Sequence, residues 1–248
     1  MYESGRIASL AMYDLPEVVP AAEAMWSTIA ARLRAAGVDD VPVSLRWDGD
    51  LYDDHWLHPQ LLLSQSCGWP LVDRLDGRVA VVGAFTYAGV SDRAARYRSV
   101  LVTRVDDAER PLPGRSVAVN GYDSLSGWVS LTAAVAPIGP VLVTGAHVHS
   151  VAAVADGRAD LACIDGVTWR LLHRYRPAAV ATLAVVGHGP LIPCLPLITH
   201  LTLSPGVAAL RDALAGLTDD ALGIDGFVPL DADAYRLVRD LHPTSVVR

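Results

Sequence analysis

Between residues 99 and 187, short aliphatic runs alternate with segments of helical spacing, and several of the runs stop at a polar residue that opens the next helix. SVLVTR (99–104) is followed by the polar, Pro-bearing turn DDAERPLPG. SVAVN (116–120) leads into the helix start DSLSG (123–127), and VLVTG (141–145) into HSVAAVADG (149–157). DLACID (160–165) leads into a helix over Val167–Tyr175, and LAVVG (183–187) returns as a strand. Alternation of this kind favours a parallel α/β sheet covered on both faces.

The flanking sequence continues the pattern. Strands are expected at Ile7–Met12, Val41–Leu45 and Val79–Thr86. Helices are expected near Ala21–Ala36, where Gly37 supplies the stop, over His58–Leu62, near Pro205–Ala215 and over Asp231–Leu241. LIPCLPLITH (191–200) carries two prolines and suits a crossing or an edge strand better than a central one. The simplest topology nests the middle block inside the rest. Residues 1–90 and 190–248 then form one discontinuous lobe and residues 95–185 an inserted one. Crossings near 84–98 and 184–200 form the hinge.

Composition narrows the function classes. Hydrophobic residues make up 52% of the 248, which a disordered chain would not carry. The net charge of −7, with no basic stripe, argues against nucleic-acid binding. It does not oppose a small anionic ligand, because such a site depends on local donors rather than on total charge. Cys67, Cys163 and Cys194 lie far apart with no CxxC pair, so neither a disulfide framework nor a thiolate metal site is expected, and no cofactor is. No apolar run reaches the roughly 18 residues of a membrane span, so direct membrane insertion is not expected. The N-terminal sequence has no cationic stretch followed by a long apolar one. The location expected from the chain as it stands is cytoplasmic, or periplasmic or extracellular if a leader has been removed.

Three strand ends in the middle block carry polar residues at a helix start, where backbone N–H groups lack intrahelical partners. At the first, Asn120 and Asp123 shape a turn, Ser124 and Ser126 add hydroxyls, and Gly127 permits close approach to the backbone. At the second, Thr144, Gly145, His147 and Ser150 lie between strand and helix, and His147 can donate to an anion. At the third, Asp165 can accept from a ligand hydroxyl or amine, or simply cap the helix. Ordinary capping explains any one of these sites; together, at the carboxyl ends of strands in one sheet, they mark where open α/β sheets bind ligands. In the other lobe, Tyr13, Ser64, Gln65 and Tyr87 would face the same cleft. SQSCG fails the nucleophile-elbow pattern at its first glycine, and no catalytic residue is assigned.

MYDLPE, LLLSQSCGWPL, the NGYDSLSG turn and TGAHVHSVAAVADGRADLACID together resemble the phosphate-, phosphite- and phosphonate-binding proteins of ABC importers, over about residues 8–200. The resemblance implies a two-lobed type II periplasmic-binding-protein fold with two hinge crossings, a small oxyanion ligand and an ABC permease as partner. Carried onto this sequence, it implies that Ser124 and Ser126 hold the oxyanion with the helix-start backbone. His147 donates to it, Asp165 takes its protonated edge, and Tyr87 closes over it. The chain departs from the family pattern at Leu125, where a small polar residue is usual, and at Ala146, where a serine is usual. The same fold also hosts cytoplasmic enzymes of menaquinone and pyrimidine biosynthesis, in which His147 or Asp165 would be the base, and intracellular ligand sensors.

Overall fold

The computed structural model describes residues 5–241. Its contacts divide the chain into two units. Unit 1 comprises the residues up to Ala95 together with Pro193–Arg236, and unit 2 comprises Arg96–Ile192 together with the residues from Leu237 onwards. Residues 1–4 and 242–248, the outer ends of the span assigned above to the first lobe, lie outside the described residues. In chain order the strands are β1 (Ile7–Ser9), β2 (Leu61–Gln65), β3 (Val79–Tyr87), β4 (Arg96–Tyr97), β5 (Val100–Arg104), β6 (Val117–Val119), β7 (Val141–Val143), β8 (Leu161–Ile164), β9 (Leu183–His188), β10 (Ile192–Pro193), β11 (Pro196–His200) and β12 (Ile224–Val228).

Unit 1 is built on a five-stranded sheet in the order β1-β2-β11-β3-β12. β1 and β2 are parallel, whereas β11 runs antiparallel to both of its neighbours and β12 antiparallel to β3. The sheet is therefore mixed, not all-parallel. The cause lies in the connectivity: a chain that leaves at the end of β3 and returns to that same edge has to run back against it. β1, β2 and β3 thus point the same way and release their carboxyl ends along one edge.

Four elements differ from the sequence reading. Within LIPCLPLITH, Ile192–Pro193 is a strand of a two-stranded sheet, but Pro196–His200 forms β11, the central strand of the five. Pro196 occupies its first position, where a missing N–H costs no ladder bond, and its carbonyl accepts the Ser66 N–H at 2.9 Å. Val41–Leu45 is not a strand. Pro42 lacks a donor and Val43 is 86% exposed, and Arg46 N–H reaches the Ala8 carbonyl of β1 at 2.7 Å. The helix expected at His58–Leu62 gives way to a wide π-type turn at Leu51–Trp56. Asp50 caps that turn by accepting from the Tyr52 and Asp53 N–H groups, and β2 then begins at Leu61. Further along, the helix expected over Asp231–Leu241 is split into a 3-10 turn at Ala232–Tyr235 and a short helix at Leu237–Leu241.

The helix Val19–Ala35 packs within unit 1 against the helix Val207–Leu214. Ala22, Met25, Trp26, Ile29, Ala30 and Leu33 recur at the three- and four-residue spacing of one helical face and are all buried, with Trp26 fully so. The Trp26 indole N–H donates to the Pro42 carbonyl at 3.2 Å, which ties the irregular 41–45 segment to the helix.

Unit 2 is a second mixed sheet in the order β7-β6-β8-β5-β9. β6 is parallel to both β7 and β8, while β5 is antiparallel to β8 and β9. Its core packs Val102, Ala118 and Ala162 of the sheet against Val151, Val154 and Leu172 of the helices His147–Ala155 and Gly166–Tyr175. The consequence for function is geometric. The three parallel strands β7, β6 and β8 are neighbours, so the three helix starts that follow them share one edge of the sheet.

Candidate functional site

The site is assembled at that edge. After β6, the chain turns through Asn120–Asp123 into a helical run whose first turn, Leu125–Val129, is a π-type turn and which continues as α-helix over Ser130–Ala134. Ser124 is its N-cap: the hydroxyl oxygen accepts the Gly127 N–H at 3.0 Å. Gly127 is required by close approach, since a Cβ there would lie 2.0 Å from Asn120 Oδ1 and 3.0 Å from Ser124 Oγ. Asn120 Oδ1 is buried without a hydrogen-bond partner among the described residues, and the Asn120 carbonyl accepts the Gly145 N–H at 3.1 Å, so the loops after β6 and β7 are joined.

After β7, Gly145 takes a left-handed φ of +86°, which its lack of a side chain permits, and the helix His147–Ala155 follows. Its N-cap, Ala146, offers no side-chain acceptor, so the N–H groups of this first turn have no capping side chain. Ser150 does not cap it either: the Ser150 hydroxyl is held by Thr144 Oγ1 at 2.7 Å.

Ser126 and His147 come from two of these helix starts and meet directly, with Ser126 Oγ 2.9 Å from His147 Nε2. Burial depresses the His147 pKa below the ordinary histidine value, and the nearby negative charge of Asp165 opposes that shift only in part. The ring is therefore neutral near pH 7 and carries a single N–H. Its Nδ1 is buried with no partner among the described residues, as are Trp128 Nε1 and Ser130 Oγ on the neighbouring helical run. Buried polar atoms are normally paired, so a group of unpaired donors and acceptors at one sheet edge is a place where a ligand or water can be accommodated.

After β8, Asp165 caps the helix Gly166–Tyr175. Its Oδ1 accepts the Val167 and Thr168 N–H groups, both at 2.9 Å, and its Oδ2 accepts the Tyr97 hydroxyl at 2.5 Å. Of the two roles open to Asp165 in the sequence, the cap is the one the structure displays.

The other four candidate residues belong to unit 1. Tyr13, Gln65 and Tyr87 form a cluster at the carboxyl edge of β1, β2 and β3. Gln65 Nε2 donates to the Tyr87 hydroxyl oxygen at 3.1 Å, and the Tyr13 and Tyr87 rings meet edge to face with centroids 5.9 Å apart. Ser64 is fully buried and turned inward, its hydroxyl 2.7 Å from that of Ser9. The three cysteines are buried and form no disulfide among the described residues, and burial pushes the Cys163 thiol up to about 12. Among the described residues, no group of three or more His, Cys, Asp or Glu side chains could hold a metal ion, and no helix is long and apolar enough to cross a membrane. Sequence reasoning missed Tyr97, whose partner lies 68 residues away and leaves no local signal.

Two α/β units with the chain passing between them, and helix starts gathered at the carboxyl ends of strands, define a protein of the type II periplasmic-binding-protein fold. Solved structures agree. A binding protein component of an ABC phosphonate transporter from Pseudomonas aeruginosa superposes with a TM-score of 0.71 at 17% identity, covering 96% of this chain and 86% of that one. PhnD1 from Prochlorococcus marinus in complex with methylphosphonate gives 0.70 at 12% identity, with 96% of both chains covered. A Xanthomonas citri protein bound to ATP gives 0.68 at 15% identity, again over 96% of both. No curated protein matches the sequence. Residues 61–235 match the family described as the periplasmic substrate-binding protein of phosphonate ABC transporters, and the chain belongs to that family.

Proposed function

We propose that unit 2 captures a single small oxyanion (phosphate, phosphite or a phosphonate) at the helix starts that follow β6, β7 and β8. In this reading the chain is the ligand-capturing component of an ABC importer. It acts on the outer side of the cytoplasmic membrane, hands its ligand to a permease and carries out no chemistry on it. The observation that carries the reading is the 2.9 Å contact between Ser126 Oγ and His147 Nε2, beside a helix start that has no capping side chain.

Burial makes the ring neutral, and in this reading its proton is assigned to Nε2. A neutral His147 that keeps its proton on Nε2 donates to Ser126 Oγ. The serine's own proton is then free to point at a ligand oxygen. Ser126 is thus the direct donor and His147 acts through it, while uncapped N–H groups of the His147–Ala155 first turn add further neutral donors. Anion capture by dipoles and hydroxyls rather than by a cation is compatible with the chain's negative net charge.

A ligand that binds only the folded state raises the melting temperature, by about 2.7 kcal/mol of added stability at one hundred times its dissociation constant. Thermal melts with methylphosphonate, phosphite, phosphate and sulfate test the reading. At least one phosphorus oxyanion should raise the melting temperature in a saturable manner. No shift with any of the four overturns the proposal.

A further inference from the structure

Asp165 stands at the end of β8, close enough to His147 for its charge to act on the imidazole. A carboxylate beside an oxyanion site would ordinarily draw the ammonium group of an aminoalkyl phosphonate. This carboxylate is already engaged. Two backbone N–H groups occupy Oδ1 and the Tyr97 hydroxyl occupies Oδ2, at least three of the roughly four acceptor positions a carboxylate offers. Tyr97 and Asp165 are each only 2% exposed, so water does not readily replace either partner. Tyr97 belongs to β4, at the point where the chain enters unit 2.

We propose that Tyr97 is a specificity determinant. By donating its hydroxyl to Asp165 Oδ2, it withdraws the carboxylate from the ligand and selects phosphonates with a small uncharged substituent over those bearing an amine. An incoming ammonium that takes Oδ2 displaces the phenol from it, and the loss of that buried hydrogen bond opposes binding. A methyl group makes no such demand. The inference rests on the oxyanion reading above and goes beyond it by naming the class of substituent the site accepts.

The test is calorimetric titration of the full chain with methylphosphonate and with 2-aminoethylphosphonate, for the wild type and for Tyr97→Phe. The wild type should bind methylphosphonate at least about ten-fold more tightly than the amine. Removing the phenol frees Oδ2, so Tyr97→Phe should shift the affinity ratio towards the amine by about ten-fold. A merely structural role for Tyr97 would weaken both ligands alike and leave the ratio unmoved. The proposal is overturned if the wild type binds the amine as tightly as methylphosphonate, a result that does not depend on whether the variant folds, or if the ratio stays within about two-fold. If neither ligand binds the wild type, the oxyanion reading itself fails and this inference falls with it. If both bind with an unmoved ratio, only the role of Tyr97 fails.

Discussion

Ser126 and His147, 21 residues apart in sequence, lie 2.9 Å apart at the edge of the unit 2 sheet, each in the first turn of its own helix. Their contact couples the pKa of a buried imidazole to the orientation of a hydroxyl, and its consequences are measurable.

One consequence is a pH dependence of stability. In the unfolded chain His147 gains a proton near pH 6.5, whereas in the folded chain burial holds the ring neutral to lower pH. The unfolded state therefore binds more protons in the window below about 6.5, and falling pH favours unfolding there. His58, whose pKa burial also lowers, adds a contribution of the same sign. The part due to His147 is isolated by comparison with His147→Gln. Melting temperatures from pH 8 to pH 5 should fall more steeply for the wild type than for the variant. A difference between the two that stays constant across this range counts against a buried, neutral His147.

A second consequence concerns Gly127. The Cβ of Gly127→Ala would lie 2.0 Å from Asn120 Oδ1, so the turn after β6 has to shift. Such overpacking typically costs about 1–3 kcal/mol. Chemical denaturation should show a loss of that size together with weakened oxyanion binding. Unchanged stability would show that the turn relaxes freely, contrary to its role as a fixed part of the site.

A third prediction concerns the scaffold. Trp26 is fully buried on the inner face of the Val19–Ala35 helix and also holds the 41–45 segment through its indole N–H. Trp26→Ala should cost about 3–5 kcal/mol by equilibrium unfolding. A loss below about 1 kcal/mol would mean that the helix does not form part of the unit 1 core as described.

The sequence was legible where local pattern and tertiary environment agree. In unit 2, aliphatic runs at 99–104, 116–120, 141–145 and 160–165 each contain the strand found there, and that at 183–187 falls short of its strand only by His188, because buried strands joined by amphipathic helices carry their signal within a few residues. Unit 1 was less legible. The place of β11 at the centre of its sheet comes from the return of the chain to the edge where β3 ends, while Pro196 in it and Pro193 just before it point locally towards an edge. β12 has Gly226 in its middle and depends on Gly83 opposite, where a Cβ would sit 2.5 Å from the Phe227 ring; neither feature reads as a strand on its own.

The site shows the same division. Asp165 and Ser124 were readable as helix-start residues because capping is local. The engagement of Asp165 by Tyr97 was not, because it depends on the antiparallel pairing of β5 with β8, which brings distant parts of the chain together. For Ser64 the residue type suggested a donor to ligand, while its alternation within β2 turned it inward to Ser9.

The central claim is that Ser126 donates a hydrogen bond to a charged ligand oxygen, and calorimetric titration of methylphosphonate into the wild type and Ser126→Ala tests it most directly. The loss of a hydrogen bond to a charged group costs about 1.5–3 kcal/mol, so the affinity should fall about ten- to one-hundred-fold, while the melting temperature without ligand changes little. Unchanged affinity together with a lowered melting temperature would contradict the account and leave Ser126 as a structural partner of His147 alone.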